Sequence, residues 1–254
     1  TGSAAAPFFE ARAAEEKLVP NRVLPLRASA ASMHLRLFQG LFALLVAATG
    51  GEHQRQRQEI YMQQDRRLSG KKVAIIVANG FQETHMTETQ KVLTAEGAAS
   101  FVISSEVGVV NGWHEGSWGH NFFVDSGLNK VLPSQYDALL IPGGERSLLA
   151  LSGNAHAKRI IKGMVDSGKT VGVVGRGAAL LAASECLPGR RVTGNEVVKE
   201  EVTQTGAIWS EDEVSVDGGI ISSAGNEALP AFIATLVDAI SGTLAVPENE
   251  AEAA

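Results

Sequence analysis

The stretch that most constrains this chain is Thr170-Val-Gly-Val-Val-Gly-Arg-Gly-Ala-Ala-Leu-Leu-Ala-Ala183. The apolar run Val171 to Val174 predicts a short buried strand. The glycines on either side of Arg176 predict a tight turn, and the Ala/Leu run predicts a helix. A turn leading straight from strand to helix lifts one side chain above the sheet edge and aims the first helical N–H groups at the same point. In a hydrolase that lifted residue is Ser or Cys. Here it is Gly175, followed by Arg176: the scaffold of a nucleophile elbow is present, and the nucleophile is not.

From Lys72 onward, apolar runs of strand length alternate with helix-length segments. Val73-Ala-Ile-Ile-Val-Ala78 is continuously apolar, as befits a strand covered on both faces. Asn79-Gly80 ends it, and Thr84 or Thr87 is the expected cap of a helix running to about Glu96 and stopped by Gly97. Ser100–Ser104 and Asp137–Pro142 read as further strands. Gly108, Gly112, Gly116 and Gly119, set among Val, Trp and Phe, suit hairpins at a sheet edge. Helices are expected over 155–167, over the charged segment 196–205, and from Asn226 or Glu227 to Ile240, with short strands at 208–209, 214–216 and 220–223. Such alternation implies a mostly parallel sheet with helices on both faces. Ligands of these sheets sit at the carboxyl ends of the strands. Three corners converge there: Asn79-Gly-Phe-Gln82, Pro142-Gly-Gly-Glu145 and Gly175-Arg-Gly177.

This domain needs only residues 71–241. Residues 1–70 read as an extension: an Ala-rich arm with Pro7, Pro20 and Pro25, an apolar helix at about 33–48, and a polar Gln/Arg-rich linker. Residues 242–254 form an acidic tail. The run Leu41–Ala48 is shorter than the roughly 20 residues a membrane helix needs. A basic start and trailing small residues give 33–49 some likeness to a signal peptide. Glu10, Glu15 and Glu16 upstream favour instead a helix packed on its own domain or on a partner. The expected location is cytoplasmic; the alternative is export or membrane association through residues 33–49.

With Lys+Arg 22 against Asp+Glu 28 and a net charge of −6, general binding to nucleic-acid phosphates is not expected. The single cysteine, Cys186, excludes an internal disulfide framework and a Cys-based zinc cluster, and reads as a small buried hydrophobe. His85, His114, His120 and His156 lack metal-ligand spacing, and no phosphate-loop motif occurs, so neither metal nor cofactor is expected.

Taken in order, the three corners resemble the ThiJ/PfpI superfamily, a flavodoxin-like branch of the glutamine-amidotransferase-like folds. The matching segments are VAIIVANGFQETHMTETQKVLTAEGA, DALLIPGGE, KTVGVVGRGAALLAAS, GAIWSEDEVSVDGGIISSAGNEALPAF and the final helix, about residues 71–241 in all. The resemblance implies a flavodoxin-like three-layer sandwich and a dimer or higher homo-oligomer. Members include peptidase-like and glyoxalase- or deglycase-like enzymes, chaperone-like stress proteins and non-catalytic domains. Active members carry a Glu just after the Phe of the first corner, bonded to an elbow Cys that a His usually follows. Those positions here hold Gln82, Gly175 and Arg176.

Glycine has no atom with which to attack a carbonyl, Gln82 does not titrate, and Arg176 stays protonated at any working pH. The expected function is therefore non-catalytic: an oligomeric scaffold, a structural subunit or a stress-related ligand-binding module, with a larger complex through residues 1–70. A small anionic ligand would meet Arg176, Gly143, Gly144 and Gln82. Weighed against that pocket, Arg176 is expected rather to pair with an acidic neighbour such as Glu145 or Glu115. The alternative function is a cysteine-independent hydrolase or glyoxalase/deglycase-like enzyme acting through Glu83 or a His and water. Glu83 itself points away from the acid position and is expected to be an exposed or capping residue. Trp113 and Trp118 either cover the pocket or form an oligomer seam.

Overall fold

The structure is a computed structural model that describes residues 66–244. The expected arm, apolar helix and linker as far as residue 65, and the tail from residue 245, lie outside the described residues.

Strand β1 (Lys72–Val77) shows why the sheet is central. Val73, Ile75 and Val77 enter one hydrophobic cluster, while Ala74 and Ile76 enter the other. Successive side chains of a strand point to opposite faces, so a continuous apolar run buries both. Seven strands complete this sheet in the order β11-β12-β8-β7-β1-β3-β6. They are β3 (Ala99–Ser104), β6 (Ser126–Gly127), β7 (Ala138–Ile141), β8 (Thr170–Val174), β11 (Val214–Asp217) and β12 (Ile220–Ser223), besides β1. Every pairing is parallel except the β11–β12 hairpin. Helices α1 (Glu83–Ala95) and α6 (Leu229–Ser241) close one face; α2 (Glu145–Ser152), α3 (Ala155–Asp166) and α4 (Ala178–Ala183) close the other. This is the expected flavodoxin-like sandwich.

The structure corrects several local expectations. The glycine-rich segment forms β4 (Val109–His114) and β5 (Ser117–Phe123). Together with β2 (Phe81–Gln82) they make a separate three-stranded sheet, not an edge of the central one. Two hydrogen bonds, one from backbone to backbone and one to a side chain, draw it there: Gly80 N–H donates to Asn111 O at 2.8 Å, and Asn79 Oδ1 accepts from Asn111 N–H at 2.8 Å. The hairpin therefore hangs over the carboxyl end of β1. Neither Thr84 nor Thr87 caps α1. Because β2 runs directly into the helix, Gln82 takes the cap position without a side-chain bond, and Thr87 Oγ1 donates instead to Glu83 O within the helix.

Helix α2 carries no clear sequence signal, since eight residues give barely two turns of periodicity. The charged segment splits into a 3-10 turn, Glu196–Val198, and α5 (Lys199–Gln204); Asn195 Oδ1 caps the turn by accepting from Val197 N–H. The remaining pair, β9 (Arg191–Val192) and β10 (Ile208–Trp209), is parallel and lies outside the main sheet.

Candidate functional site

The three corners meet at the carboxyl side of the sheet. Gln82 N–H donates to Gly143 O at 2.7 Å, tying the end of β2 to the loop after β7. Gly144 has φ 119°, and a Cβ there would lie 2.6 Å from both Gly80 O and Phe81 Cα. Only glycine fits so tight an approach with that backbone. Gln82, Gly143, Gly144, Gly175 and Arg176 all line one cleft of ≈ 310 Å³, joined by His85, Trp113, Glu145, Asn195 and Asn226. A larger groove of ≈ 590 Å³ passes Ser104 and Asp125 near the β6 edge, but none of the corner residues lines it.

At the elbow, β8 ends in a 3-10 turn, Gly175–Gly177, that leads into α4. Gly175 has φ 58°, the left-handed backbone of a sharp strand-to-helix turn. A Cβ added there would meet Ala224 O at 3.7 Å, Gly225 Cα at 3.8 Å and His85 Cε1 at 3.8 Å, all ordinary contacts. The turn and the room for a side chain are both retained. Arg176 Nη1 lies 2.8 Å from Glu145 Oε2, with the two side chains 34% and 65% exposed. Of the two partners expected for Arg176, Glu145 is the one it meets, so the cation facing the cleft is already neutralised.

His85 is the cleft residue that the sequence reading missed. It is 6% exposed; Nδ1 accepts from Gly143 N–H at 3.1 Å, and Nε2 lies 2.6 Å from Asn226 Oδ1. An Nδ1 that accepts leaves the proton on Nε2, which donates to Asn226. Burial drives the His85 pKa down to about 4, only partly opposed by the Asn226 bond. The ring is neutral, and both nitrogens are committed. The available signal was its spacing: three residues after Gln82, it shares that residue's side of the helix start.

Glu83 is neither exposed nor capping. It is 8% exposed and turns away from the cleft toward the hairpin. Its Oε2 accepts from His120 N–H at 2.9 Å, and Oε1 lies 2.6 Å from His120 Nδ1. Burial favours the neutral acid, but the His120 backbone N–H, ring and charge outweigh it and hold the carboxyl below its usual range. A Cβ at Gly119 would collide with the Glu83 carboxylate, so glycine there makes room for it.

Trp113 lines the cleft, and Trp118 packs edge-on against it with centroids 5.5 Å apart. Of the two readings of this pair, Trp113 therefore fits pocket cover, while Trp118 stays 53% exposed. Cys186 is buried beyond α4, where burial pushes its thiol pKa up. Among the described residues, no group of three or more His, Cys, Asp or Glu is arranged to hold a metal, and no helix is long and apolar enough to cross a membrane. Residues 33–49 lie outside the described residues.

Comparison with known proteins supplies the family. The DJ-1/PfpI family model matches residues 71–239. Deglycase TK1284 of Thermococcus kodakarensis is 33% identical over 152 residues, spanning 60% of this chain and 89% of that protein. Protein/nucleic acid deglycase 2 of Escherichia coli is 28% identical over 163 residues, spanning 64% and 93%. Among solved structures, a two-domain protein from Anabaena variabilis with DJ-1/ThiJ/PfpI-like and ferritin-like domains superposes with a TM-score of 0.64 at 23% identity. That match covers 72% of this chain and only about half, 52%, of the Anabaena chain. A ThiJ/PfpI domain protein from Brachyspira murdochii gives 0.63 at 21% identity, covering 68% and 98%. These two likenesses bear on the fold alone. The order of the three corners, the elbow that joins β8 to α4 and the match over residues 71–239 agree: the chain belongs to the DJ-1/PfpI family.

Proposed function

We propose that the cleft binds a small carbonyl compound or glycated amine, the ligand class suggested by its deglycase relatives, and that it does so without a thiol step. The observation that carries this is Gly175: the elbow keeps its left-handed backbone and its room for a side chain, yet has no atom to attack a carbonyl. Apart from the Glu145 carboxylate, the other cleft groups offer hydrogen bonds rather than proton transfer. Gln82 and Asn195 are amides, both nitrogens of His85 are engaged, and Arg176 is paired. The relatives' names favour this ligand class over the expected scaffold role. Homo-oligomerisation, and a larger complex through residues 1–70, are separate proposals to be read from light scattering of the full chain.

A second reading is turnover without cysteine. It is favoured by the name deglycase on a relative 33% identical over 152 residues. Glu83 does not line the cleft, so a water-based reaction would fall to Glu145, the one carboxylate among the cleft residues. The test pairs calorimetric titration with fructosylglycine and methylglyoxal with NMR detection of their consumption. Saturable binding without consumption is the expected result. Consumption that is lost in Glu145→Gln supports the second reading, and absence of any binding overturns both.

A further inference from the structure

With Arg176 neutralised by Glu145, a second cation stands next to the cleft, stacked on its lining residue Trp113 rather than lining it directly. Arg146 is exposed and directly follows Glu145 in the first turn of α2. Its guanidinium carbon lies 4.1 Å from the centroid of the Trp113 ring, which lines the cleft, and 5.1 Å from that of Trp118. Among the described residues, no carboxylate pairs with it.

A guanidinium laid on an indole is held in orientation by the ring quadrupole, while its in-plane N–H donors remain free at the edge. The support is itself fixed. Trp113 and Trp118 face each other across the β4–β5 ladder and pack edge to face. The Arg146 stem backs onto Gly80 so closely that a Cβ there would lie 2.7 Å from Arg146 Cβ. The result is an oriented cation without a partner charge among the described residues, beside a cleft that otherwise offers amides, a neutral imidazole and one self-compensated ion pair. That combination fits a ligand with a negative charge at one end.

We propose that Arg146 determines specificity in this cleft, selecting carbonyl ligands that bear a carboxylate or phosphate over neutral ligands of the same shape. The proposal rests on the carbonyl-ligand reading above and names the charge of that ligand. A merely structural Arg146, clipping the hairpin to α2, would affect neutral and anionic ligands alike.

The experiment is calorimetric titration of the full chain with two matched pairs. One is fructosylglycine against fructosylglycinamide; the other is dihydroxyacetone phosphate against dihydroxyacetone. The wild type is expected to prefer the charged member of at least one pair by about tenfold, the scale of one charge-assisted hydrogen bond. That preference should narrow as salt is raised. Arg146→Gln should bring the ratio close to one, and Arg146→Lys should retain part of it, with unfolding temperatures recorded to confirm folded protein. A preference confined to the first pair identifies a carboxylate ligand; one confined to the second identifies a phosphate. Equal binding of charged and neutral members by the wild type overturns the proposal and leaves the cleft reading standing. So does a ratio unchanged in Arg146→Gln, including equal weakening of both members. If no member of either pair binds, the cleft reading fails and this proposal with it.

Discussion

His85 donates from Nε2 to Asn226 Oδ1 at 2.6 Å while its Nδ1 accepts the Gly143 N–H at 3.1 Å, so one buried ring joins α1, the loop after β7 and the loop after β12. The ring stands beside Gly175, within 3.8 Å of where that residue's Cβ would be. Beside the open elbow position, this chain places a neutral imidazole with no free lone pair. It contributes to the shape and polarity of the cleft, and does not serve as its base.

The same burial sets a pH dependence. Folding lowers the His85 pKa from 6.5 to about 4, so between those values the unfolded chain binds more protons than the folded one. Stability fully present above pH 6.5 is therefore lost as pH falls toward 4, by up to roughly 3 kcal/mol for a shift of this size. Denaturant titrations at pH 4.5 and pH 7 should show a smaller gap for His85→Gln than for the wild type. An equal gap would assign the slope to other groups.

Glu83 and His120 give a second pH-linked contact, remote from the cleft. Because the folded carboxyl is held below its usual range, its contribution is present above about pH 4.5 and is lost as pH falls further. Glu83→Ala leaves the His120 N–H without its acceptor and should cost about 1–3 kcal/mol at neutral pH. Hydrogen exchange should rise in β4 and β5 and stay unchanged in β1 and β8. Unchanged exchange in the hairpin would contradict the contact.

The elbow can be tested by restoring what it lacks. Gly175→Cys fits the available room, at a strain of about 1–3 kcal/mol for a side chain with positive φ. Combined with Gln82→Glu, it should yield a thiol that iodoacetamide modifies faster than the buried Cys186, and should consume methylglyoxal where the parent chain does not. A folded double variant with an unreactive thiol would show that the cleft lost more than these two side chains.

Two glycines should behave oppositely. Gly144→Ala drives a Cβ into the Gly80 and Phe81 backbone and should destabilise the fold by more than about 2 kcal/mol. Gly153, which caps α2 at φ −83° with nothing within 4 Å of an added Cβ, should accept Ala with a change within about 1 kcal/mol. Thermal unfolding of the two variants checks the contrast.

Much of the architecture was legible because its signals are local. The runs Val73–Ala78, Asp137–Pro142 and Val171–Val174 announced buried parallel strands, and the glycines after them marked the corners where ligands bind. Arg176 and its partner Glu145 were also within reach, since both sit in those corners. Helix α2 was not, being too short to establish a period. Nor was the separate β2-β4-β5 sheet, whose hydrogen bonds between Asn79 or Gly80 and Asn111 span more than 30 residues.

What the sequence determined by itself is an identity that no folding can change: Gly175 has no reactive atom, and Gln82 cannot titrate. What only the tertiary structure decided is which neighbouring side chains share the cleft. Gln82 and Glu83 are adjacent, yet Gln82 ends β2 with an extended backbone and Glu83 begins α1, and packing leaves one facing the cleft and the other the hairpin. His85 enters because partners 58 and 141 residues away fix its two nitrogens. Arg146 stands next to the cleft because two tryptophans on a folded-over hairpin come beneath it. Long-range packing sets those positions, and a local cue such as the three-residue spacing of His85 from Gln82 does not by itself fix them.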